Sequence, residues 1–343
     1  MKTVLSTLFL LLLLSAAGVG GYGFLQYEKF TKQQVSETAP KTFEIKKGSS
    51  FKRVAVDLEA AGVIKPAWQF QLLAKIKNQG NKIKAGEFAL DPGMSAEAVL
   101  ERFVSGKTLS YSSRIIEGYK FSDLVETIKS DPNLVQTLSD ADYAGIMKKI
   151  GSQYKEPEGW FFPDTYNYPR GTSDIDFLKR SHQAMQDFIS KEWAKRDKNL
   201  PLKSPYDALI LASIVEKETG VPEERPLIAQ VFHNRLNKGM MLQTDPTIIY
   251  GMGERFNGNI RKSDLKRDNP FNTYTRTGLT PTPIATPSAE AIKAVLHPEA
   301  SKAFYFVARG DGTSHFSNSY REHRKAVIKY QLRGNAKRYT GDK

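Results

Sequence analysis

The sequence contains no cysteine, which excludes both disulfide bonds and thiolate chemistry. Its five histidines, at positions 182, 233, 297, 315 and 323, show no metal-ligand spacing. We expect all five to be structural, with His315 or His323 as the exception if either lies near a cleft. Neither a glycine-rich phosphate loop nor a serine nucleophile elbow occurs. The core must come from packing alone, which is feasible for a chain of 343 residues.

The charge balance is basic, with 50 Lys and Arg against 37 Asp and Glu and a formal net charge of +13. Such a surplus favours an anionic partner, such as nucleic acid, acidic lipid headgroups or an acidic polymer. The basic residues are scattered among acids rather than gathered into a binding arm, so a solvated basic surface explains the surplus equally well. Nucleic acid is not expected as a partner of an exported chain.

Residues 4–27 carry no charged side chain, and residues 8–14 are apolar throughout. A helix of this length can cross a hydrocarbon core of about 30 Å. Lys2 precedes the run, so a positively charged end would stay in the cytoplasm and the remaining chain would lie outside it. The small residues at 15–17 also permit a cleaved signal peptide. Because apolar character continues to Leu25, we favour an uncleaved membrane anchor.

Residues 28–41 are polar and predict a tether, after which a weak internal repeat begins. Each copy has a strand-like run, a glycine turn and a helical segment, and the three runs start near Phe43, Phe88 and Ser113. The predicted helices cover residues 51–61, 96–105 and 121–130. The second copy, at residues 83–95, resembles half of a LysM module, a type of module that binds N-acetylated glycans. A purely structural lobe is the alternative.

Residues 153–166 hold five aromatic side chains interrupted by two prolines and a glycine, which excludes a regular amphipathic element. These rings either pack in a core or form a sugar-stacking loop rimmed by Glu158 and Asp164. The following segment, residues 175–193, has helical spacing and is interpreted as scaffold.

The most clearly punctuated helix covers residues 204–220. Ser204 suits the N-cap and Pro205 the first helical position, while Gly220 suits a left-handed C-terminal residue. An advance of about 100° per residue places Glu218 at the end of an apolar stripe and Glu216 on another face. A carboxyl in that position either pairs with a base such as Arg225 or stays protonated near neutral pH, as a general acid requires.

Three hydrogen-bonding side chains, Gln243, Thr244 and Asp245, directly precede a proline. The surrounding patterns predict helices over residues 222–236 and 288–297, a short strand over residues 247–250 and a buried strand over residues 303–308. The long proline-rich loops between residues 269 and 287 suggest functional or disordered segments, and their Asn and Tyr residues favour order.

Four motifs occur in a fixed order. They are Glu-Gly-Trp-Phe-Phe-Pro-Asp-Thr-Tyr at 158–166, Ala-Ser-Ile-Val-Glu-Lys-Glu-Thr at 212–219, Leu-Gln-Thr-Asp-Pro-Thr-Ile-Ile-Tyr-Gly at 242–251 and Asn-Thr-Tyr at 272–274. In order and spacing they resemble the YceG-like endolytic murein transglycosylases, the MltG type. The resemblance runs from the N-terminal anchor through the C-terminal lobe, and four matched motifs are far more specific than any one alone.

The resemblance implies cleavage of the MurNAc–GlcNAc bond within peptidoglycan strands by one glutamate, without metal or cofactor. The family's catalytic glutamate directly precedes the threonine that closes the second motif, which here is Glu218. It would protonate the departing oxygen and then, as a carboxylate, accept the proton of the muramoyl 6-hydroxyl as that oxygen attacks C1. The residues expected to hold the N-acetyl sugars are Gln243, Thr244, Asp245, Tyr250, Asn272 and Tyr274, with Glu216 assigned a lesser contribution.

Two rival interpretations remain: a muramidase that uses Asp245 as a second carboxylate, and a non-catalytic, membrane-anchored peptidoglycan-binding scaffold. The predicted fold class is α+β, with a transmembrane anchor at 1–27, a linker at 28–41, a small LysM-like α/β lobe at 42–150 and a larger mixed α+β catalytic domain at 151–343. We expect a single-pass protein of the inner membrane with its catalytic domain in the periplasm. The expected partners are peptidoglycan strands and the membrane, with peptidoglycan synthases as further candidates.

Overall fold

The computed structural model describes residues 2–36, 39 and 41–339. The chain divides into two compact units. Unit 1 contains the residues up to Tyr111 together with Asn167–Gly171, and unit 2 contains Ser112–Tyr166 and the chain from Thr172 onwards. Helices alternate with three two-stranded sheets, so the predicted α+β class is confirmed.

Unit 1 is built from one long N-terminal helix, three short helices and a small sheet. In chain order these are α1 (Lys2–Thr31), β1 (Thr42–Ile45), α2 (Phe51–Ala60), α3 (Ala67–Ile76), β2 (Gly86–Ala89) and α4 (Ala96–Ser105). Strands β1 and β2 pair in antiparallel fashion with Phe43 opposite Phe88. The core is apolar and aromatic, and its fully buried members include Leu58, Phe70 and Phe103.

The internal repeat is visible in the backbone of unit 1. After β1 the chain turns at Gly48 (φ 83°), and after β2 it turns at Gly93 (φ 84°). Glycine suits both turns because a Cβ disfavours this left-handed conformation. A serine then caps each helix, Ser50 for α2 and Ser95 for α4, by accepting a backbone N–H bond. The predicted strand, glycine turn and helix are confirmed in the first two of the three copies, whereas the LysM assignment stays a prediction.

The expected tether differs from the structure over its described part. Helix α1 continues to Thr31, and both Phe30 and Val35 are buried in the core of unit 1. The backbone N–H of Val35 donates to Met94 O at 2.8 Å, and Val35 O accepts from the N–H of Gly93 at 2.9 Å. Residues 37, 38 and 40 lie outside the described residues. The four segments assigned from the sequence stay predictions, although residues 112–150 belong here to unit 2.

The division between the units falls within a further pair of strands, β3 (Ser110–Arg114) and β4 (Thr165–Pro169). Unit 2 otherwise contains ten α-helices and one β-hairpin among its described residues. They are α5 (Phe121–Ser130), α6 (Asp140–Ala144), α7 (Ile146–Lys149), α8 (Asp174–Lys195), α9 (Pro205–Glu218), α10 (Arg225–Asn237), α11 (Asp245–Met252), α12 (Lys262–Lys266), α13 (Ala289–Leu296), β5 (Tyr305–Ala308), β6 (Ser314–Ser317) and α14 (Tyr320–Tyr330).

Helix α9 forms the centre of unit 2 and contacts α8, α10, α11 and α13. Every residue from 208 to 215 is buried, because the sequence is apolar around the whole helix rather than along one stripe. Ser204 caps the N-terminus as predicted, by accepting the N–H of Asp207 at 3.2 Å. The prediction for Gly220 is wrong: Thr219 ends the helix in an extended conformation, and its hydroxyl accepts the N–H of Val221 at 3.0 Å.

The aromatic segment at 153–166 contributes to the core. Trp160 and Phe161 are 1% exposed, and the Trp160 ring stacks on Tyr154 at 3.9 Å between centroids. Glu158 is itself buried, which contradicts its position on the rim of a sugar-stacking loop. The core interpretation of these rings is therefore confirmed for Trp160 and Phe161.

Two strand predictions are corrected. Residues 247–250 belong to helix α11, because Pro246 occupies its first turn and fixes the backbone there in a helical conformation. Residues 303–308 contain strand β5, but only Ala303 and Val307 are buried. The strand is half-buried because Tyr305 and Phe306 line a cavity.

Candidate active site

Unit 2 contains a cavity of about 600 Å³ that is lined by the C-terminal end of α9, the segment before α11, the β5–β6 hairpin and α14. Glu218, the last residue of α9, faces into it. Among the sequence-predicted site residues, Gln243, Asp245 and Tyr274 line the same cavity. The third and fourth motifs are thus brought to the end of the helix that carries the second.

Glu218 is half-buried at the cavity wall. Burial raises the pKa of Glu218 above its ordinary value, and the negative charge of Asp245 raises it further. A hydrogen bond from Thr244 Oγ1 to Glu218 Oε2, 2.5 Å long, opposes that shift, as does the positive charge of Arg235. The net rise keeps the carboxyl protonated to a higher pH, which is the property of a general acid.

Asp245 begins helix α11 and accepts a hydrogen bond of 2.6 Å from the hydroxyl of Tyr274. Burial raises the pKa of Tyr274, and the adjacent Asp245 carboxylate adds to the rise, so the phenol stays a proton donor. Asp245 and Glu218 thus lie on one cavity with different partners: Tyr274 for Asp245 and Thr244 for Glu218.

The backbone that carries Thr244 is held by the Asn-Thr-Tyr motif. Thr273 O accepts the N–H of Gln243 at 3.0 Å, and Thr273 Oγ1 accepts the N–H of Thr244 at 3.1 Å. Asn272 is fully buried and donates to the carbonyl of Arg267 at 2.8 Å, while its side-chain oxygen accepts the N–H of Tyr274 at 2.8 Å. Asn272 therefore shapes the loop beneath the cavity rather than lining the cavity.

Glu216 lies away from the cavity and is buried in a network of its own. Its side chain is 5% exposed and pairs with Arg225 at 3.2 Å. The other carboxylate oxygen accepts hydrogen bonds from the N–H and the hydroxyl of Ser288, the N-cap of α13. The alternative in which Arg225 pairs with Glu218 is therefore wrong, because Arg225 bonds the other glutamate.

Tyr250 also lies apart from the cavity. Its hydroxyl donates to Glu158 Oε2 at 3.0 Å, and the opposite carboxylate oxygen accepts the N–H of Phe121 at 2.9 Å. Burial raises the pKa of Glu158 to about 7, although both hydrogen bonds act in the other direction. The structure therefore joins Tyr250 to a second buried carboxyl and not to Glu218.

The sequence model of the YceG-like family matches residues 43–329 of this chain. The chain belongs to the YceG-like family. The resemblance found from the four motifs is confirmed by this match, which covers most of the chain.

Several similar proteins carry a functional name. A Bacillus subtilis protein named endolytic murein transglycosylase is 32% identical over 328 residues, which cover 90% of each chain. A Streptococcus pneumoniae protein of the same name is 30% identical over 365 aligned positions that cover 95% of this chain and 65% of that protein. The crystal structure of a yceG-like protein from Listeria monocytogenes is 32% identical, has a TM-score of 0.53 and is matched over 97% of its chain.

Sequence reasoning missed Arg235 of this YceG-like chain. Its guanidinium donates to the carbonyls of Phe304 at 2.7 Å and Leu242 at 2.8 Å, and it lies 5.2 Å from the centroid of the Tyr305 ring. The guanidinium thereby joins β5 to the segment before α11 at the cavity wall. One signal was present: Arg235 continues the buried stripe of α10 formed by Ile228, Val231 and Phe232, where a charged residue is unusual.

Of the two histidines expected as exceptions, His315 and His323, only His323 lies at this cavity. His323 lines the cavity and stacks on the ring of Tyr305 at 5.1 Å, whereas His315 packs near Tyr330. Burial lowers the pKa of His323, and the nearby Arg235 charge lowers it further, so its imidazole is neutral. Across the described ranges, no cluster of three or more His, Asp or Glu side chains is arranged to hold a metal ion.

Proposed function

We propose that this chain is a membrane-anchored endolytic lytic transglycosylase that cleaves the MurNAc–GlcNAc β-1,4 bond of peptidoglycan and leaves 1,6-anhydro-MurNAc ends. Family membership and the names of the Bacillus and Streptococcus relatives support the reaction class, that of a lyase acting on murein. The observation that carries the proposal is Glu218, a carboxyl with a raised pKa at the wall of a large cavity.

In the first step Glu218, protonated, donates its proton to the glycosidic oxygen, and the bond from that oxygen to C1 of the muramoyl residue breaks. The raised pKa serves this step because it keeps the acid protonated to a higher pH than an ordinary glutamate. Glu218 becomes a carboxylate as the leaving sugar departs. The hydroxyl of Thr244 and the charge of Arg235, which both favour the ionised form, stabilise the carboxylate at that moment.

In the second step the Glu218 carboxylate accepts the proton of the muramoyl 6-hydroxyl while that oxygen forms a bond to C1. The nucleophile belongs to the same sugar, so holding the ring in place makes the step intramolecular, and no water or second carboxylate is consumed. Glu218 recovers its proton and is ready for the next bond. Gln243, Asp245 and Tyr274, which line the cavity, would contact the N-acetyl sugars.

The remaining candidate residues take positioning roles in this proposal. Thr244 orients the Glu218 carboxyl, and Asn272 holds the loop that carries Tyr274. Glu216 ties the end of α9 to the start of α13. Tyr250 would act only indirectly, through its bond to Glu158.

A hydrolytic muramidase is the second candidate, because Asp245 lines the same cavity as Glu218. An inverting hydrolase needs a partner carboxyl roughly 6.5–9.5 Å from the acid, and a retaining one needs it about 5–5.5 Å away. In the transglycosylase mechanism Asp245 is instead an electrostatic neighbour that raises the pKa of Glu218 and anchors Tyr274.

The deciding experiment is mass analysis of the sugar ends released from purified glycan strands. The transglycosylase predicts ends about 18 Da lighter than hydrolytic ends, because ring closure replaces the addition of water. Reducing muramic acid as the main product would instead show that the enzyme is a hydrolytic muramidase. A Glu218→Gln variant that still binds strands but releases no ends would exclude the scaffold interpretation.

The proposed location follows from helix α1. Its segment Leu10–Thr31 is long and apolar enough to cross a membrane, with a mean hydropathy of 1.4. With Lys2 on the cytoplasmic side, both units would lie outside the cytoplasm, in the periplasm of a cell with an outer membrane. Peptidoglycan synthases, which produce the strands to be cut, are the proposed protein partners.

A further inference from the structure

Helix α3 of unit 1 exposes an apolar stripe. Trp68, Leu72 and Ile76 are 61%, 40% and 57% exposed, and their spacing of four residues puts them on one face of the helix. The opposite face, which includes Phe70 and Leu73, is buried in the core of unit 1. Among the described side chains outside α1, these three make up nearly half of the large hydrophobic residues that are exposed. Such clustering marks an interaction surface.

The stripe borders a groove whose other wall is the membrane-spanning helix. This groove, of about 380 Å³, lies between Trp68 and Leu72 of α3 and Tyr22, Tyr27 and Phe30 of α1. Phe30 is buried and Tyr27 packs against the core of unit 1, so α1 passes from its apolar segment into the unit without a break in the helix. Whatever surrounds α1 at residue 22 therefore also meets Trp68.

The position along α1 identifies that surrounding. A span of about 20 residues crosses the hydrocarbon core. The uncharged run begins at residue 4, ahead of the segment Leu10–Thr31, and a span counted from residue 4 ends near residue 23, so that Glu28 is the first charge beyond it. Tyr22, Tyr27 and Trp68 thus lie where the hydrocarbon gives way to headgroups, the depth that Tyr and Trp prefer in membranes.

A second groove of about 270 Å³ shares Gln26, Phe30 and Gln69 with the first, and its only charged lining residues are Lys29 and Lys65. Both lysines are exposed, and neither forms an ion pair with another described residue. An apolar groove that continues into a basic one matches the two parts of an anionic phospholipid, its acyl chain and its phosphate.

We propose that the α3 face and these two grooves form a second membrane contact, which sits in the outer leaflet of the membrane and binds anionic phospholipid. Trp68, Leu72 and Ile76 insert at the headgroup boundary, and Lys29 and Lys65 contact the lipid phosphate. This contact fixes unit 1 against the bilayer in one orientation, which a single spanning helix does not. The inference rests on the proposed anchoring by α1.

The absence of cysteine makes the test direct, because an introduced cysteine is the only thiol to be labelled. The full chain, with a fluorophore on Leu72→Cys, is reconstituted into vesicles of phosphatidylcholine and phosphatidylglycerol that carry a shallow nitroxide-labelled lipid. Val56→Cys is the matched control, since Val56 is 45% exposed on a neighbouring helix of unit 1. We expect several-fold stronger quenching at Leu72 than at Val56.

A second labelled position distinguishes the proposed second membrane contact from the anchor. Leu13→Cys, within α1 and near the middle of the span, is measured with a deep nitroxide-labelled lipid and reports whether the helix is inserted. Quenching at Leu13 with none at Leu72 overturns the second contact and leaves the anchor intact, and loss of quenching at both overturns both. A Leu72 label shielded from aqueous iodide but unaffected by the nitroxide lipid would assign the face to a protein, either another chain or a second copy, and would also overturn the inference.

The lipid preference is tested separately. Quenching of the Leu72 label by nitroxide-labelled phosphatidylglycerol should exceed that by nitroxide-labelled phosphatidylcholine, and Lys29→Gln/Lys65→Gln should bring the ratio close to one. The control Lys47→Gln/Lys52→Gln removes the same charge from exposed positions of unit 1 and should leave the ratio unchanged. If both double substitutions lower the ratio equally, the lipid preference depends on net charge alone, and the basic groove is refuted as a phosphate site.

Discussion

Glu216 and Glu218 offer a matched pair of substitutions, because they are two residues apart on α9 and lie in different surroundings, Glu216 in a buried ion pair and Glu218 at the cavity wall. Glu216→Gln should lower stability, whereas Glu218→Gln should lower turnover by at least about 100-fold without a loss of stability. Both changes are isosteric and remove one potential charge, so differences between the variants report the environments alone.

The magnitude for Glu216 follows from its partners. One carboxylate oxygen faces Arg225, which is 13% exposed, and the other accepts two bonds from Ser288. In glutamine one of these oxygens becomes an NH2 group, so a donor would face a donor and the guanidinium would lose its counter-charge. Breaking a buried pair in this way costs about 3–5 kcal/mol. For a domain of 150–250 residues this lowers the melting temperature by about 6 °C or more.

For Glu218→Gln we expect a gain in relative stability rather than a loss. Its raised pKa means that the folded state favours the neutral carboxyl, and a neutral glutamine reproduces that state while its amide oxygen still accepts from Thr244. The stabilising contribution of the protonated group is present below about pH 4.5 and is lost as pH rises through the higher folded pKa, so Glu218→Gln should gain relative stability towards neutral pH. Turnover should fall by at least about 100-fold, as expected for loss of a general acid.

The assay is a thermal melt of each variant, followed by circular dichroism, combined with the rate of end formation on purified glycan strands. Glu216→Gln should melt early and retain measurable turnover per folded molecule, while Glu218→Gln should melt at or above the wild-type temperature at neutral pH. Two results would refute the reasoning: a Glu218→Gln protein with near-normal turnover, or a Glu216→Gln protein with unchanged melting temperature and the turnover of the Glu218 variant.

Asp245→Asn should move the alkaline limb of the kcat/KM profile to lower pH, because loss of the negative charge lowers the pKa of Glu218. An unmoved limb, or loss of all end formation, would count against a purely electrostatic role of Asp245. Thr244→Val should move the same limb upwards and slow turnover about tenfold, in line with one lost charge-assisted hydrogen bond of about 1.5 kcal/mol; a downward shift would contradict the assigned bond. Glu158 contributes stability that is present below about pH 4.5 and lost as pH rises through about 7, so Glu158→Gln should flatten the fall in unfolding free energy over that window by about 3 kcal/mol, and a parallel curve would exclude the assignment. The protein should remain with the membrane fraction after a carbonate wash, and its release by that wash would contradict the anchor.

Local chemistry was readable directly from the sequence. The serine cap and apolar run of α9, the glycine turns at Gly48 and Gly93 and the uncharged N-terminal segment depend on neighbours within a few residues. The order of the four motifs identified the family, and the position of Glu218 at the end of an apolar helix independently indicated this residue, although the helix proved apolar on all sides rather than along one stripe. These inferences needed no knowledge of how distant segments meet, because capping, turn geometry and helical periodicity act along the chain.

Contacts between segments far apart in the sequence were decided only by the tertiary structure. Along the chain, Arg225 could have paired with either Glu216 or Glu218. In the fold Arg225 pairs with Glu216, whose other carboxylate oxygen accepts a hydrogen bond from Ser288. Tyr250 and Asn272 belong to the same motifs as Asp245 and Tyr274, but they do not line the cavity. Their side chains bond to groups brought close by folding, Glu158 for Tyr250 and a loop carbonyl for Asn272.

The same reason explains Arg235. In the sequence it is one basic residue among 50, and nothing nearby on the chain requires a positive charge. Folding brings the carbonyls of Phe304 and Leu242 to its guanidinium and places it beside the cavity that Glu218 faces. The sequence determined which residue types were available for acid catalysis. Burial and long-range hydrogen bonds, which exist only in the folded chain, determined which of them face the cavity and what surrounds the acid there.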